Sequence, residues 1–186
     1  MEYSYAKKVY YNNVYDIKNI EENIQMIMYS VIGFFLPFML GHPQILVGTI
    51  VNAMLILGAT YLRGHKMLPL ILLPSLGVMT AGVIFGTYTL YLLYLIPLIW
   101  VGNALYVYTY KYFNMKEKRF KNNMLGVGVA SVLKAALLFG VTFLLVQLSV
   151  LPAMFLTAMG ILQITTAALG GIVAVGLIKA REKIAA

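Results

Sequence analysis

The chain has 186 residues, of which 61% are hydrophobic and 11% charged, with a net charge of +8 and no cysteine. The charged share is about half that of an ordinary soluble domain, too little to solubilise so apolar a chain, and the length suits a single domain. Cysteine chemistry is excluded with the residue itself: no disulfide, thiolate metal site or cysteine nucleophile can form. The basic residues flank apolar runs, so membrane orientation explains the charge better than nucleic-acid binding does.

Residues 1–23 carry mixed charge and five Tyr, without the apolar region or cleavage site of a signal peptide. They read as a cytoplasmic or interfacial lead-in, compatible with an amphipathic helix at the headgroups. A membrane domain then covers 24–178. It divides into apolar runs at about 24–41, 45–62, 67–86, 88–110, 124–149 and 153–178, near the ~20 residues a helix needs to cross a bilayer. The first two runs are parted by the helix-stop cluster Gly41-His42-Pro43-Gln44. The third and fourth are parted only by Gly86-Thr87, which leaves a re-entrant segment open there. Residues 179–186 form a basic tail.

Charge supports this division independently. Lys7, Lys8 and Lys18 precede run 1, Arg63 and Lys66 follow run 2, and Lys111, Lys116, Lys118, Arg119 and Lys121 follow run 4. Lys179, Arg181 and Lys183 follow run 6, whereas the three alternate connections contain no Lys or Arg. The positive-inside rule therefore predicts six spans with both termini cytoplasmic. Tyr residues at both ends of run 4 fit aromatic belts. The two three-span halves share no convincing repeat, which disfavours an inverted-repeat transporter.

Inside the spans, polar residues are few: Asn52, Asn103, Lys134, Gln147 and Gln163, besides Ser and Thr. Lys134 is the one charge at bilayer depth, and all six acidic residues fall outside the spans. A charge at that depth is costly and faces a protein interior, a cavity or a ligand. Two uses compete: a structural lysine, snorkelling or bonded to backbone carbonyls, or a cation for a ligand's carboxylate or phosphate. A Schiff base is a minor third. The amides fit interhelical hydrogen bonds by default. Small residues recur at packing spacing, notably Gly77 and Ala81 in span 3 and Gly170 and Ala174 in span 6. Such faces let helices approach closely, within the bundle or against a partner. Pro37, Pro69, Pro74 and Pro97 lie within spans and free backbone carbonyls.

Catalysis finds no support. The spans hold no carboxylate pair, and no H-E-x-x-H or phosphate-binding loop is present. His42 and His65 have no partner at metal spacing. The expectation is a non-enzyme with no catalytic residues, no metal and no cofactor.

The segments GTIVNAMLILGA, PSLGVMTAGVIFG, PLIWVGNALYVY and LTAMGILQITTAALGG, set in a short six-span all-α bundle, resemble the substrate-binding S components of energy-coupling factor transporters. The likeness covers roughly residues 30–178 and consists of span pattern and small residues. Many S components carry Ala-x-x-x-Ala in the first span for docking; here MIMYSVIGFFLPFML has no alanine. The resemblance implies a capture subunit for vitamin uptake in a prokaryotic cell membrane. Its partners would be the lipid bilayer, a membrane coupling subunit, cytoplasmic ATPase subunits and a small-molecule substrate. The expected substrate site is Lys134, Gln163, Asn103 and Trp100, with Lys134 supplying charge, the amides orientation and Trp100 a stacking surface. The expected docking residues are Gly77, Ala81, Gly170 and Ala174, since the small faces of spans 3 and 6 could replace the missing alanines. The competing class is a non-transporting membrane subunit or anchor of a larger assembly. A self-sufficient channel is a third possibility.

Overall fold

Backbone that cannot be hydrated must close its own hydrogen bonds, and every regular element among the described residues of the chain is helical. The computed structural model describes residues 19–40, 43–82, 86–116 and 120–185. Its helices are α1 Asn19–Leu40, α2 Gln44–Tyr61, α3 Leu68–Ala81, α4 Leu92–Lys116, α5 Phe120–Gln147, α6 Met154–Met159 and α7 Ile161–Ala185. The 3₁₀ turns Gly64–Met67 and Gly86–Tyr91 precede α3 and α4. Most of the expected lead-in, the Gly41-His42 stop, residues 83–85 near the end of the expected span 67–86 and part of the basic connection after run 4 lie outside the described residues.

Among the described residues, five helical stretches are long and apolar enough to cross a membrane: Ile20–Leu40, Gln44–Tyr61, Gly86–Asn114, Phe120–Gln147 and Met154–Ile184. This is the architecture of an integral membrane protein. Large apolar side chains such as Phe35, Met39, Leu93, Val101, Leu144 and Leu177 cover the outside of the bundle, where a soluble protein would carry charge.

The expected span at 67–86 forms a shorter helix. α3 has 14 residues, about 21 Å at ~1.5 Å per residue, against a hydrocarbon core of about 30 Å. Its end is set by Gly82, which takes φ 63° and returns its N–H to the Val78 carbonyl; glycine adopts this left-handed cap without the Cβ penalty. The last expected span is interrupted at Gly160, which has φ −104° and ψ −99° between α6 and α7. Two expected boundaries also shift: α1 starts at Asn19, placing Glu21 and Glu22 in its first turn, where the helix dipole favours acids. α4 runs through Lys111, a residue expected in the following connection.

α2 packs along α7, α4 along α5 and α1 along α3, while α5 also meets α7. The α2–α7 approach depends on Gly170, because a Cβ there would meet the Thr49 carbonyl oxygen and the Ala53 amide of α2. Buried apolar residues form two clusters. The larger, including Leu55, Tyr61, Met67, Tyr106, Tyr110, Ala174 and Ile178, fills the end near the basic residues. The smaller, including Leu92, Leu95, Leu138, Phe155 and Met159, fills the end whose connections lack Lys and Arg. Lys134, on α5 between Ala130 of the first cluster and Leu138 of the second, lies at the level where they meet.

Candidate functional site

Lys134 comes from the middle of α5, a helix with no polar stripe that could lead the side chain to water. It is only 3% exposed. Its Nζ donates to Asn52 Oδ1 at 2.7 Å and lies 5.3 Å from the centroid of the Tyr106 ring. The Tyr106 hydroxyl donates away from the site, to the Ala167 carbonyl at 2.7 Å.

Asn52 is held by its other bonds. Its Nδ2 donates to the Gly48 carbonyl at 2.8 Å and to Thr166 Oγ1 at 3.3 Å. Thr166 in turn donates its hydroxyl to the Leu162 carbonyl at 2.7 Å. The chain of donors thus runs one way, from ammonium through amide and hydroxyl to a helix carbonyl. With both its donors directed elsewhere, Asn52 presents oxygen to the lysine. It offers a dipole and no countercharge.

Beside Lys134 lies a cavity of about 100 Å³. Lys134, Asn52, Asn103, Gln163, Gln44 and Thr166 contribute polar groups, and Val47, Val51, Val78, Leu92, Ile99 and Met159 apolar walls. No acidic residue is among the described residues lining it. Gln44 opens α2 at the uncharged end, and Asn52 is eight residues further in, so the cavity reaches about 12 Å along the bundle at ~1.5 Å per residue. Gln163 has no hydrogen-bonded side-chain partner among the described residues. No group of His, Cys, Asp or Glu suited to a metal occurs among the described residues either.

One wall is built around Pro74 in α3. Pro74 lacks the N–H that would bond the Leu70 carbonyl, and the neighbouring Ile71 and Leu72 carbonyls receive side chains from α4. Asn103 Nδ2 donates to the Ile71 carbonyl at 3.0 Å, and the Trp100 indole N–H to Ser75 Oγ at 2.8 Å and the Leu72 carbonyl at 3.2 Å. Of the four expected substrate residues, Lys134, Gln163 and Asn103 therefore share the cavity, whereas Trp100 stands behind its wall. Sequence reasoning treated Asn52 as one interhelical amide among several and passed over Ser75 and Thr166. The packing of α5 against α7, which runs along α2, nevertheless brings Lys134 Nζ onto Asn52 Oδ1.

Three of the four small residues expected to dock a partner are engaged within the bundle. Gly77 is buried against the Phe34 carbonyl of α1, Gly170 against α2, and Ala174 is inaccessible in the larger core cluster. Ala81, at the end of α3, stays partly exposed.

A second buried lysine closes the basic end. Lys111, 1% exposed, donates to the Leu62 carbonyl at 3.0 Å, just past the C-terminus of α2, where the helix dipole favours a cation. Nearby, Glu22 is also 1% exposed. It accepts from the Arg63 backbone N–H and from Lys66 Nζ at 3.0 Å, and its charge acts on Lys111.

Comparison with protein-family models, curated proteins and solved structures finds no match to this chain.

Proposed function

We propose that this chain is the membrane-embedded capture subunit of an energy-coupling factor type micronutrient uptake system, with six crossings and both termini cytoplasmic. The observation that carries the reading is the cavity beside Lys134, in which a buried ammonium meets an amide oxygen and a ring face but no acid among the described lining residues. A structural lysine in an apolar bundle is expected to be closed off by carbonyls or carboxylates; this one borders open volume. Ligand pockets are mostly apolar with a few placed polar groups, the pattern of this lining. In this reading Lys134 supplies charge, Gln163 and Asn103 orient the substrate, and Trp100 braces the wall through Ser75. The cavity's extension toward the end without basic residues suits entry from outside. α3, flanked by the Gly64–Met67 turn and packed along α1, provides the sixth crossing. Gly77, Gly170 and Ala174 serve internal packing.

The test is purification of the full chain from its native membranes. Co-isolation of cytoplasmic ATPase subunits, with a small molecule identified by mass spectrometry, is the expected result. A stable complex that lacks any ATPase would replace this reading with that of a non-transporting membrane subunit. Flux through liposomes containing this chain alone would make it a facilitator.

A further inference from the structure

The unengaged polar groups of the cavity define what it can hold. Asn52 has both donors occupied, Thr166 directs its hydroxyl at Leu162, and Ser75 directs its own at Leu72 while accepting from Trp100. An ammonium has three donors, and one of Lys134's is used on Asn52. The side-chain amides of Gln163 and Gln44 have no partner among the described residues and line the same space. What remains is two free N–H directions of a cation, these two amides, and the carbonyl oxygen and second N–H of Asn103, whose first N–H serves Ile71.

Charge narrows the class. The cavity lining contributes one cation and no acid among the described residues. A single negative charge compensates it; a second would stay unpaired in apolar surroundings, desolvated without a partner. An inorganic anion is disfavoured by walls of Val47, Val51, Val78, Leu92, Ile99 and Met159, which reward apolar surface and cannot replace a hydration shell. Size narrows it further. At about 100 Å³ the cavity is smaller than the roughly 150 Å³ space that accepts benzene in an engineered core, and well below the ~300–1,000 Å³ of sites for drug-sized ligands.

We infer that the cavity binds a compact monocarboxylate with a short apolar body, its carboxylate against Lys134 and its body among the valines and Met159. The inference rests on the reading of this cavity as a ligand site, and it sharpens that reading from a micronutrient of any kind to a small organic acid. A carboxylate suits Lys134 because its oxygens together offer about four acceptor positions, enough for the free N–H groups and an amide donor.

The test uses the full chain in detergent micelles at neutral pH and follows saturable binding by calorimetry and thermal shift. The probes are butyrate, its neutral isostere butyramide, butylammonium and inorganic phosphate. Butyrate is expected to bind, and butyramide at least about tenfold more weakly, the difference between a charge-assisted and a neutral hydrogen bond. Butylammonium and phosphate are expected not to bind. Lys134→Met should bring butyrate down to the butyramide level, while Lys134→Arg keeps the preference for the anion. Equal affinities for butyrate and butyramide, unchanged discrimination in Lys134→Met, or no saturable butyrate binding would each overturn the monocarboxylate. The capture reading fails separately: it stands if butyramide binds as well as butyrate, and it falls if butyrate binds but native purification yields no ATPase.

Discussion

Lys111 and Lys134 are buried to nearly the same degree, 1% and 3% exposed, and their surroundings differ in kind. Lys111 reaches a carbonyl at the C-terminal end of α2 and feels the carboxylate of Glu22, itself bonded to Lys66 and the Arg63 amide. Its charge has both a helix dipole and an acid to answer it. Lys134 has an amide oxygen, the face of Tyr106 and a cavity. Burial alone therefore says little about a lysine's role in a membrane bundle. Each ammonium makes one hydrogen bond among the described residues, and the difference is that an acid lies near Lys111 whereas open volume borders Lys134.

The largest effect is expected at Glu22. Replacing it with Leu leaves the Arg63 amide without its acceptor and removes the acid facing two lysines, and breaking a buried pair in this way costs about 3 kcal/mol or more. Unfolding of the purified chain in detergent should show a large loss for Glu22→Leu and a smaller one for Glu22→Gln, which keeps an acceptor oxygen. A loss for Glu22→Leu below about 1 kcal/mol, the range of an exposed pair, would remove the structural half of the comparison. Lys111→Met ranks next. It strands the buried Leu62 carbonyl, a penalty of about 1–3 kcal/mol, and should leave ligand binding at the Lys134 cavity unchanged. Weakened binding in a folded Lys111→Met protein would mean that the two lysines are coupled and cannot be assigned separate roles.

The comparison also marks what could be read from residue order. Lys134 stood out because a charge in an apolar run is costly wherever the run folds, and the helical class followed from run length and composition. Lys111 was hidden by the same logic. Lying at the edge of an apolar run among other basic residues, it reads as a loop charge, and only the continuation of α4 to Lys116 reveals that it is buried. Glu22 was hidden likewise, since its burial depends on α1 packing beside the turn that carries Arg63 and Lys66. Asn103 reads from sequence as a polar point and Trp100 as a stacking surface, but both donate to backbone carbonyls near Pro74, those of Ile71 and Leu72, and a helix carbonyl does not advertise in the sequence which neighbour will meet it. Short-range signals located the helices; side-chain pairing between helices far apart in sequence required the packing.

The smallest expected change in stability is the most informative. Lys134→Met removes one hydrogen bond and leaves Asn52 Oδ1 without its donor, which costs about 1–3 kcal/mol for a buried acceptor. It also abolishes the need to desolvate an ammonium, a penalty of several kcal/mol per buried ion. Met occupies a similar shape and its thioether tolerates irregular space. The two contributions oppose each other, so the unfolding free energy of Lys134→Met should lie within about 1 kcal/mol of the unsubstituted chain, or above it. At Lys111 the same relief is offset, because removing that cation also takes away a countercharge of the buried Glu22. A substitution that deletes a buried, hydrogen-bonded charge without destabilising the fold identifies a group maintained for something other than folding. Should Lys134→Met instead lose as much as Lys111→Met, the Lys134–Asn52–Thr166 chain would be a strut between α5, α2 and α7, and the cavity beside it a packing gap.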